Sequence, residues 1–216
     1  MKYSLKGSGI IEAMVVLLLL TVGITGVYSI LVSSQRLSDS TAYRIEAIQI
    51  ARDGLEAMMN IRDTNWIEFG GDVRNCWNTF NYNPACVGST SAGNKIRYNG
   101  NRALIVYRDE LTGKFFLNVQ VHNNLPFSNN TYRNRFRVRY DDRGFYTQTG
   151  SINLPREYTR EIRINYLDGA GVSQGSNAPN NPIMELTTIV QWQDPAASTP
   201  RRLEMSTRLT NWKDRN

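Results

Sequence analysis

The sequence predicts an α+β fold, in which a long N-terminal helix, membrane-spanning in its first half, packs on a C-terminal antiparallel β-sheet domain. Three observations predict it. Residues 13–32 are apolar or small and carry no charge, residues 45–58 repeat apolar side chains every three or four positions, and from about Asn65 short alternating stretches lie between turn residues. A helix followed by antiparallel strands is the order of an α+β chain, because each element must bury one face against another.

The first stretch, residues 13–32, is long enough to cross a membrane. About 20 apolar residues in a helix span the roughly 30 Å hydrocarbon core of a bilayer. Lys2 and Lys6 precede this stretch, and no further basic residue occurs before Arg36. The positive-inside bias therefore predicts a cytoplasmic N-terminus and places the rest of the chain outside.

A single carboxylate, Glu12, stands at the front of this apolar stretch. A cleaved secretory signal is one alternative, but its apolar region normally has about 7–15 residues and ends at a small-x-small site. An ordinary uncleaved signal anchor is the other alternative. Because an ionisable residue inside a membrane segment is expected to be functional, Glu12 needs a partner.

Residues 6–20, KGSGIIEAMVVLLLL, resemble the start of the type IV pilins and the related type II secretion pseudopilins. Precursors in that family carry a short basic leader that ends in Gly, and Glu is the fifth residue after the cut. Lys6 and Gly7 match the end of that leader, and Ser8 matches the first mature residue, which places Glu12 fifth. The resemblance implies cleavage between Gly7 and Ser8 by a prepilin peptidase, N-methylation of Ser8, and an assembly role for Glu12 opposite the amine of a neighbouring subunit.

The chain departs from that family at the cut. The family usually has Phe and then Thr, where this chain has Ser8 and Gly9. Cleavage after Gly9 is the alternative, and it would place Glu12 third. A softer resemblance covers the other end, where residues 187–192 and 203–212 are similar to the end of larger minor pilins and pseudopilins.

The resemblance also implies a domain plan, partners and a location. The plan is a cleaved leader over residues 1–7, an N-terminal helix over 8–62 and a globular β-rich, pilin-like domain over 63–216. The implied partners are other pilin subunits, the prepilin peptidase, the membrane and the inner-membrane assembly machinery. The subunit would wait in the inner or cytoplasmic membrane and then enter an extracellular filament on the cell surface.

Beyond the membrane stretch the helix is expected to continue in water. Charged residues fill one face, and apolar residues recur at helical spacing on the other, as is typical of an amphipathic helix. The apolar set is Ile45, Ile48, Ala51, Leu55 and Met58. Ser38-Asp39-Ser40 offers an alternative in which a cap starts a second helix. Gly23 and Gly26 either loosen the first half or allow close helix packing.

Six later stretches are predicted strands, because period-two alternation and β-branched or aromatic residues occur between turn signals. They are residues 102–108, 115–121, 132–140, 158–167, 184–193 and 201–212. Residues 111–114 and 141–144 have the composition of hairpin turns. Residues 169–182 are predicted to form a long surface loop.

The two cysteines, Cys76 and Cys86, lie in a region with loop-like composition. Two thiols and one distant histidine do not make a four-ligand zinc site. Disulfides persist outside the cytosol, where the predicted orientation puts this region. A bridge over so short a loop is worth about 2–3 kcal/mol in the chain-entropy model. The alternative is a pair of free thiols in an organism without an oxidising envelope.

The segment 132–140 carries four arginines in alternation with mostly apolar residues: Arg133, Arg135, Arg137 and Arg139. On a strand, this spacing would present all four on one face. Such a stripe would fit an anionic ligand: DNA phosphates, an anionic surface, or acidic residues of the next subunit. The alternative is a solvated strand face balanced by Glu157 and Glu161.

Nothing in the sequence predicts an enzyme. His122 is the one histidine, there is no Gly-rich phosphate loop, and Asp141-Asp142 fits a hairpin turn better than acid–base work. We expect no catalytic residue, metal or cofactor. The residues and the resemblance together predict a structural subunit of a type IV pilus or pseudopilus. The alternatives are a minor pilin, or a membrane-anchored receptor that binds DNA or a surface through the basic strand.

Overall fold

The computed structural model describes residues 8–194 and 197–211. The predicted leader, residues 1–7, and Trp212 at the end of the last predicted strand lie outside the described residues. The chain divides into two compact units, Met1–Arg44 and Ile45–Asn216. Helix α1, Ser8–Glu68, begins in the first unit and ends in the second.

Helix α1 is longer than the predicted 8–62, and it is continuous through residues 38–40, so no second helix begins there. Two hydroxyls within the apolar stretch bond to carbonyl oxygens one turn earlier: Thr21 Oγ1 to Leu18 O at 2.8 Å and Thr25 Oγ1 to Thr21 O at 2.9 Å. These bonds satisfy the hydroxyl groups without breaking the helix. The helix ends just before Gly70 and Gly71, as expected for residues with a high cost inside a helix.

The second unit contains two antiparallel sheets. The strands are β1 (Arg102–Arg108), β2 (Phe115–Val121), β3 (Arg139–Tyr140), β4 (Tyr146–Thr147), β5 (Ile152–Asn153), β6 (Tyr158–Leu167), β7 (Ser173–Gly175), β8 (Ile183–Trp192) and β9 (Arg201–Thr210). The large sheet has the order β2-β1-β6-β8-β9, with β7 beside β6, and the small sheet has the order β4-β3-β5. The short helices are α2 (Val73–Cys76) and α3 (Asn130–Phe136).

Five of the six predicted strands are confirmed. The predictions for β1, β2 and β6 match to the residue, and those for β8 and β9 differ by one or two residues at their ends. Both predicted hairpin turns are present. Gly113 and Gly144 have φ values of 71° and 83°, and such left-handed conformations favour glycine. The predicted loop 169–182 contains the short strand β7.

The predicted strand over 132–140 is wrong. Residues Asn130–Phe136 form α3 instead, and only Arg139–Tyr140 are extended in β3. Asn129 caps this helix, since its side-chain oxygen accepts hydrogen bonds from Thr131 N at 2.8 Å and Tyr132 N at 3.3 Å. Tyr132 and Phe136 then lie one turn apart, with ring centroids separated by 5.0 Å, and both are buried.

The core of the second unit lies between α1 and the large sheet. Leu55, Met58 and Ile61 of the helix pack with Leu104 of β1 and Ile162 of β6. The predicted apolar stripe is therefore confirmed at Leu55 and Met58, but Ile45, at its start, is 52% exposed. On the other face of the sheet, α3 and its preceding loop pack Phe127, Tyr132 and Phe136 against Ala103 and Ile105.

A buried arginine lies between helix and sheet. Arg160 of β6 has no exposed surface, and its Nη1 donates to Asp53 Oδ2 at 2.5 Å and to Ile50 O at 3.2 Å. Gly54 lets this side chain approach, because a Cβ atom there would lie 3.0 Å from Arg160 Cδ. Gln148 donates to Arg160 O at 2.6 Å and accepts from Val106 N at 3.1 Å. The hydrogen bonds of Arg160 and Gln148 therefore hold α1 in one position on the large sheet.

Candidate assembly helix and domain surface

The side chains of the apolar segment of α1, residues 13–32, are almost all exposed. Leu17, Leu19 and Val22 are each more than 60% exposed, and their neighbours are similar. Covering one such side chain is worth about 1.5–3 kcal/mol, so water is a poor environment for the whole segment. Among the described residues, one helix, α1, is long and apolar enough to span a membrane, judged by length and composition.

Glu12 lies exposed at the start of this segment. The next acidic residue along the helix is Asp39, and the next basic residue is Arg36. At 1.5 Å per residue, Arg36 lies about 36 Å further along the axis. No side chain of opposite charge in the described part of this unit can therefore reach Glu12.

The four arginines of residues 133–139, here called the arginine segment, do not share one face. Arg133 and Arg135 lie in the last turn of α3, Arg137 follows that helix as its C-cap, and Arg139 is in β3. The expected stripe fails because a helix replaces the strand that would have aligned the side chains.

Three of these arginines have acceptors within the chain. Arg137 forms an ion pair with Glu157, and Arg133 Nε lies 3.5 Å from the same carboxylate. Arg135 Nη1 donates to Val121 O at 2.7 Å. The predicted balance by Glu157 is confirmed, whereas Glu161 pairs with Arg163 at 2.8 Å instead.

A cavity of about 220 Å³ lies beside the arginine segment. Arg137, Arg156 and Glu157 line it together with apolar side chains and Asn153. Because Glu157 already binds Arg137, an anion entering this cavity would compete with a carboxylate of the chain.

Cys76 and Cys86 are joined in a disulfide, as predicted, with Cα atoms 5.2 Å apart. Asp72 holds the two ends of this loop together, because its carboxylate accepts hydrogen bonds from Asn75 N at 3.2 Å and from Gly88 N at 2.7 Å. The hydrogen bond from the Asn75 side chain, followed by that from Gly88 N, holds the pKa of Asp72 below its usual value. These bonds stabilise the charged carboxylate.

The disulfide loop covers part of one edge of the large sheet, a feature that sequence reasoning missed. Asn81 forms two hydrogen bonds with Leu117 of β2, donating to its O at 3.0 Å and accepting from its N at 2.8 Å. Tyr82 Oη donates to Phe115 O at 2.7 Å. Both loop residues have left-handed backbones, with φ of 50° and 57°. Arg135 covers the far end of the same edge at Val121 O.

No family model, curated protein or solved structure matches the chain. Within the described residues, no group of three or more His, Cys, Asp or Glu side chains is placed to hold a metal ion.

His122 is 6% exposed, and its Nδ1 accepts from Asn124 N at 3.0 Å. Burial, and then the charge of Arg163, lower its pKa. The contact supports Asn123 and Asn124, whose φ values are 48° and 53°.

The disulfide gives a direct test of the environment of the loop. In protein isolated without reductant, Cys76 and Cys86 should resist alkylation, because each sulfur is bonded to the other. Reduction should make both reactive and lower the free energy of unfolding by about 2–3 kcal/mol in the chain-entropy model. Peptide mapping with and without reductant, and denaturant titrations of both forms, measure the two effects. Full labelling before reduction would contradict an oxidised loop.

Proposed function

We propose that the chain is a structural subunit of a type IV pilus or pseudopilus, assembled through the apolar segment of α1. One observation carries the proposal: Glu12 lies at the front of an exposed apolar helix and has no partner within reach among the described residues of its unit. A second subunit would supply both the apolar cover and, through its N-terminal amine, the opposite charge. Pairing inside an apolar environment makes register matter, because an unpaired buried charge is strongly unfavourable.

The domain supports a structural role outside the membrane. A disulfide, a sheet edge covered in part by side chains and a helix held to the sheet by Arg160 favour a rigid domain. In this proposal the subunit waits in the inner or cytoplasmic membrane and then enters a surface filament. A minor subunit at the filament tip is the variant of this proposal that the length of the chain favours.

Processing is the first test of the proposal. A prepilin peptidase should cut between Gly7 and Ser8 and remove Lys2 and Lys6, the charges that hold the N-terminus in the cytosol. Intact-mass analysis of membrane-extracted protein should therefore find a chain that begins at Ser8 and carries one added methyl group. A mature chain that still begins at Met1, or one that begins near residue 33, would contradict the proposal.

A receptor for DNA is the alternative function, and the cavity beside Arg137 and Arg156 is the observation in its favour. Because Glu157 pairs with Arg133 and Arg137, we expect the wild-type chain to bind DNA negligibly at physiological salt. Replacing Glu157 by Gln should release Arg137 and produce weak binding that falls as salt rises, since bound phosphates release counterions. Gel-shift titrations at two salt concentrations measure this.

Glu185→Gln is the matched control for that experiment, because Glu185 pairs with Arg208 on another part of the sheet. It should leave DNA binding unchanged. Tight, salt-dependent binding by the wild-type chain, lost in Arg137→Gln, would favour the receptor instead of the structural subunit.

A further inference from the structure

The two edges of the large sheet differ. Strand β2 forms one edge, and side chains of Asn81, Tyr82 and Arg135 occupy four of its backbone groups. Strand β9, Arg201–Thr210, forms the other edge and pairs with β8 along its whole length. Within the described residues, no strand pairs with the outer side of β9. A long edge with free N–H and C=O groups is a template for another strand.

We propose that β9 pairs with β9 of a second copy of this chain, antiparallel and centred on Ser206. In a two-fold antiparallel pair, residues equally far from the centre lie opposite each other and on the same face of the sheet. With Ser206 at the centre, Glu204 of each copy lies opposite Arg208 of the other. The pair would extend from Arg202 to Thr210 of each strand.

The charge pattern of β9 selects this register. Centring the pair on Met205 would put Arg202 opposite Arg208 twice, and centring it on Glu204 would put that carboxylate opposite itself. Opposite charges directly across a sheet stabilise it, whereas like charges destabilise it. The Ser206 centre provides two attractive pairs and no repulsive one over residues 202–210, whereas a Leu203 centre, which would pair Arg202 with Glu204, extends only over residues 201–205. In this register Glu204 of the other copy would also lie beside an existing ion pair, because Arg208 Nε already lies 3.0 Å from Glu185 Oε1 of β8.

The other face of β9 fits the same register. The apolar residues of β9 alternate with the charged ones and point to the side of the sheet that holds the core: Leu203, Met205 and Leu209. Leu209 is buried there, and Met205 is partly buried against the core residues. Around Ser206, Leu203 lies opposite Leu209 and Met205 opposite Thr207. Leu203 and Met205 are only half-buried in one chain, so pairing would cover apolar surface as well as polar backbone.

This contact goes beyond the proposed function. A two-fold axis through Ser206 reverses the direction of every element in the second unit of the other copy. Subunits that stack through parallel N-terminal helices share one direction. The β9 contact therefore joins copies from two different filaments.

Cysteine cross-linking tests the register. Opposite residues in an antiparallel pair have Cα atoms about 4.5–5.5 Å apart, which a disulfide can span. The full chain carrying Ser206→Cys, in detergent micelles under mild oxidation, should form a covalent dimer on a non-reducing gel. Thr187→Cys is the matched control. Thr187 lies opposite Ser206 on β8, and three strand spacings, about 14 Å, would separate it from its copy in the dimer.

Charge reversal tests whether Glu204 of one copy faces Arg208 of the other. Glu204→Arg alone and Arg208→Glu alone should each lower the cross-linking rate of Ser206→Cys about tenfold, since both opposite pairs become repulsive. The double change restores opposite charges across the axis and should restore cross-linking. Equal cross-linking by Thr187→Cys and Ser206→Cys would overturn the proposal, as would a Ser206→Cys chain that stays monomeric or a double change that fails to recover.

Discussion

Replacing Glu12 by Ala is expected to remove the subunit from surface filaments while leaving its insertion into the membrane intact or improved. A charge inside a bilayer costs about 2–3 kcal/mol on insertion scales, so loss of the carboxylate makes insertion easier. In an assembled apolar core, however, the neighbouring amine would lose its counter-charge. Leaving one buried charge unpaired costs about 3–5 kcal/mol. The two effects have opposite signs, which separates an assembly residue from an ordinary membrane anchor.

Sheared filaments and membrane fractions measure this result. Glu12→Ala should give a processed chain that accumulates in the membrane fraction and is missing from filaments. Asp39→Ala is the matched control, because it removes the next acidic residue, which lies outside the apolar segment. It should assemble like wild type. Normal incorporation of Glu12→Ala would show that the carboxylate has no part in assembly.

Replacing Asp53 by Ala is expected to lower the free energy of unfolding by about 3 kcal/mol, because it leaves Arg160 buried without its carboxylate. Arg160 is fully buried, and its Nη2 has no hydrogen-bond partner among the described residues. For a domain of this size, that loss corresponds to a fall of about 6–12 °C in Tm.

The control uses the same helix. Glu56 is exposed, so Glu56→Ala should change the free energy of unfolding by less than about 0.5 kcal/mol. Arg160→Met together with Asp53→Ala should recover stability, because it replaces the orphaned guanidinium by an apolar side chain of similar length. Thermal and denaturant unfolding followed by circular dichroism measure all three. Equal effects of Asp53→Ala and Glu56→Ala would show that the ion pair does not hold the helix.

The helix and the main strands could be predicted because their signals are local. The apolar stretch before Arg36 and the alternation in β1, β2 and β6 each lie within one element. The arginine segment misled the prediction because its period-two pattern of arginines coincides with a four-residue spacing of Tyr132 and Phe136. The missed signal was Asn129, a helix cap three residues before Tyr132.

The polar contacts could not be predicted, because their partners are distant in sequence. Arg160 looked like one more charged residue on an alternating strand, and its acceptor Asp53 lies 107 positions earlier. The closure of the β2 edge depends on left-handed backbones at Asn81 and Tyr82. Such conformations are uncommon outside glycine, and although Asn adopts them more often than most residues, the residue type of Tyr82 does not predict one.

The closed β2 edge has a consequence for reduced chains. Asn81 and Tyr82 lie between Cys76 and Cys86, so breaking the disulfide weakens the cover over Leu117 and Phe115. Through its sheet edges, an oxidised chain with one open edge can form only a closed pair of copies. A reduced chain, open at both edges, can add copies at each end without limit. Oxidation before the chains become concentrated would then prevent this aggregation. In concentrated samples, unlike the dilute ones used for unfolding, a reductant should turn soluble material into sedimenting polymers rich in β-structure.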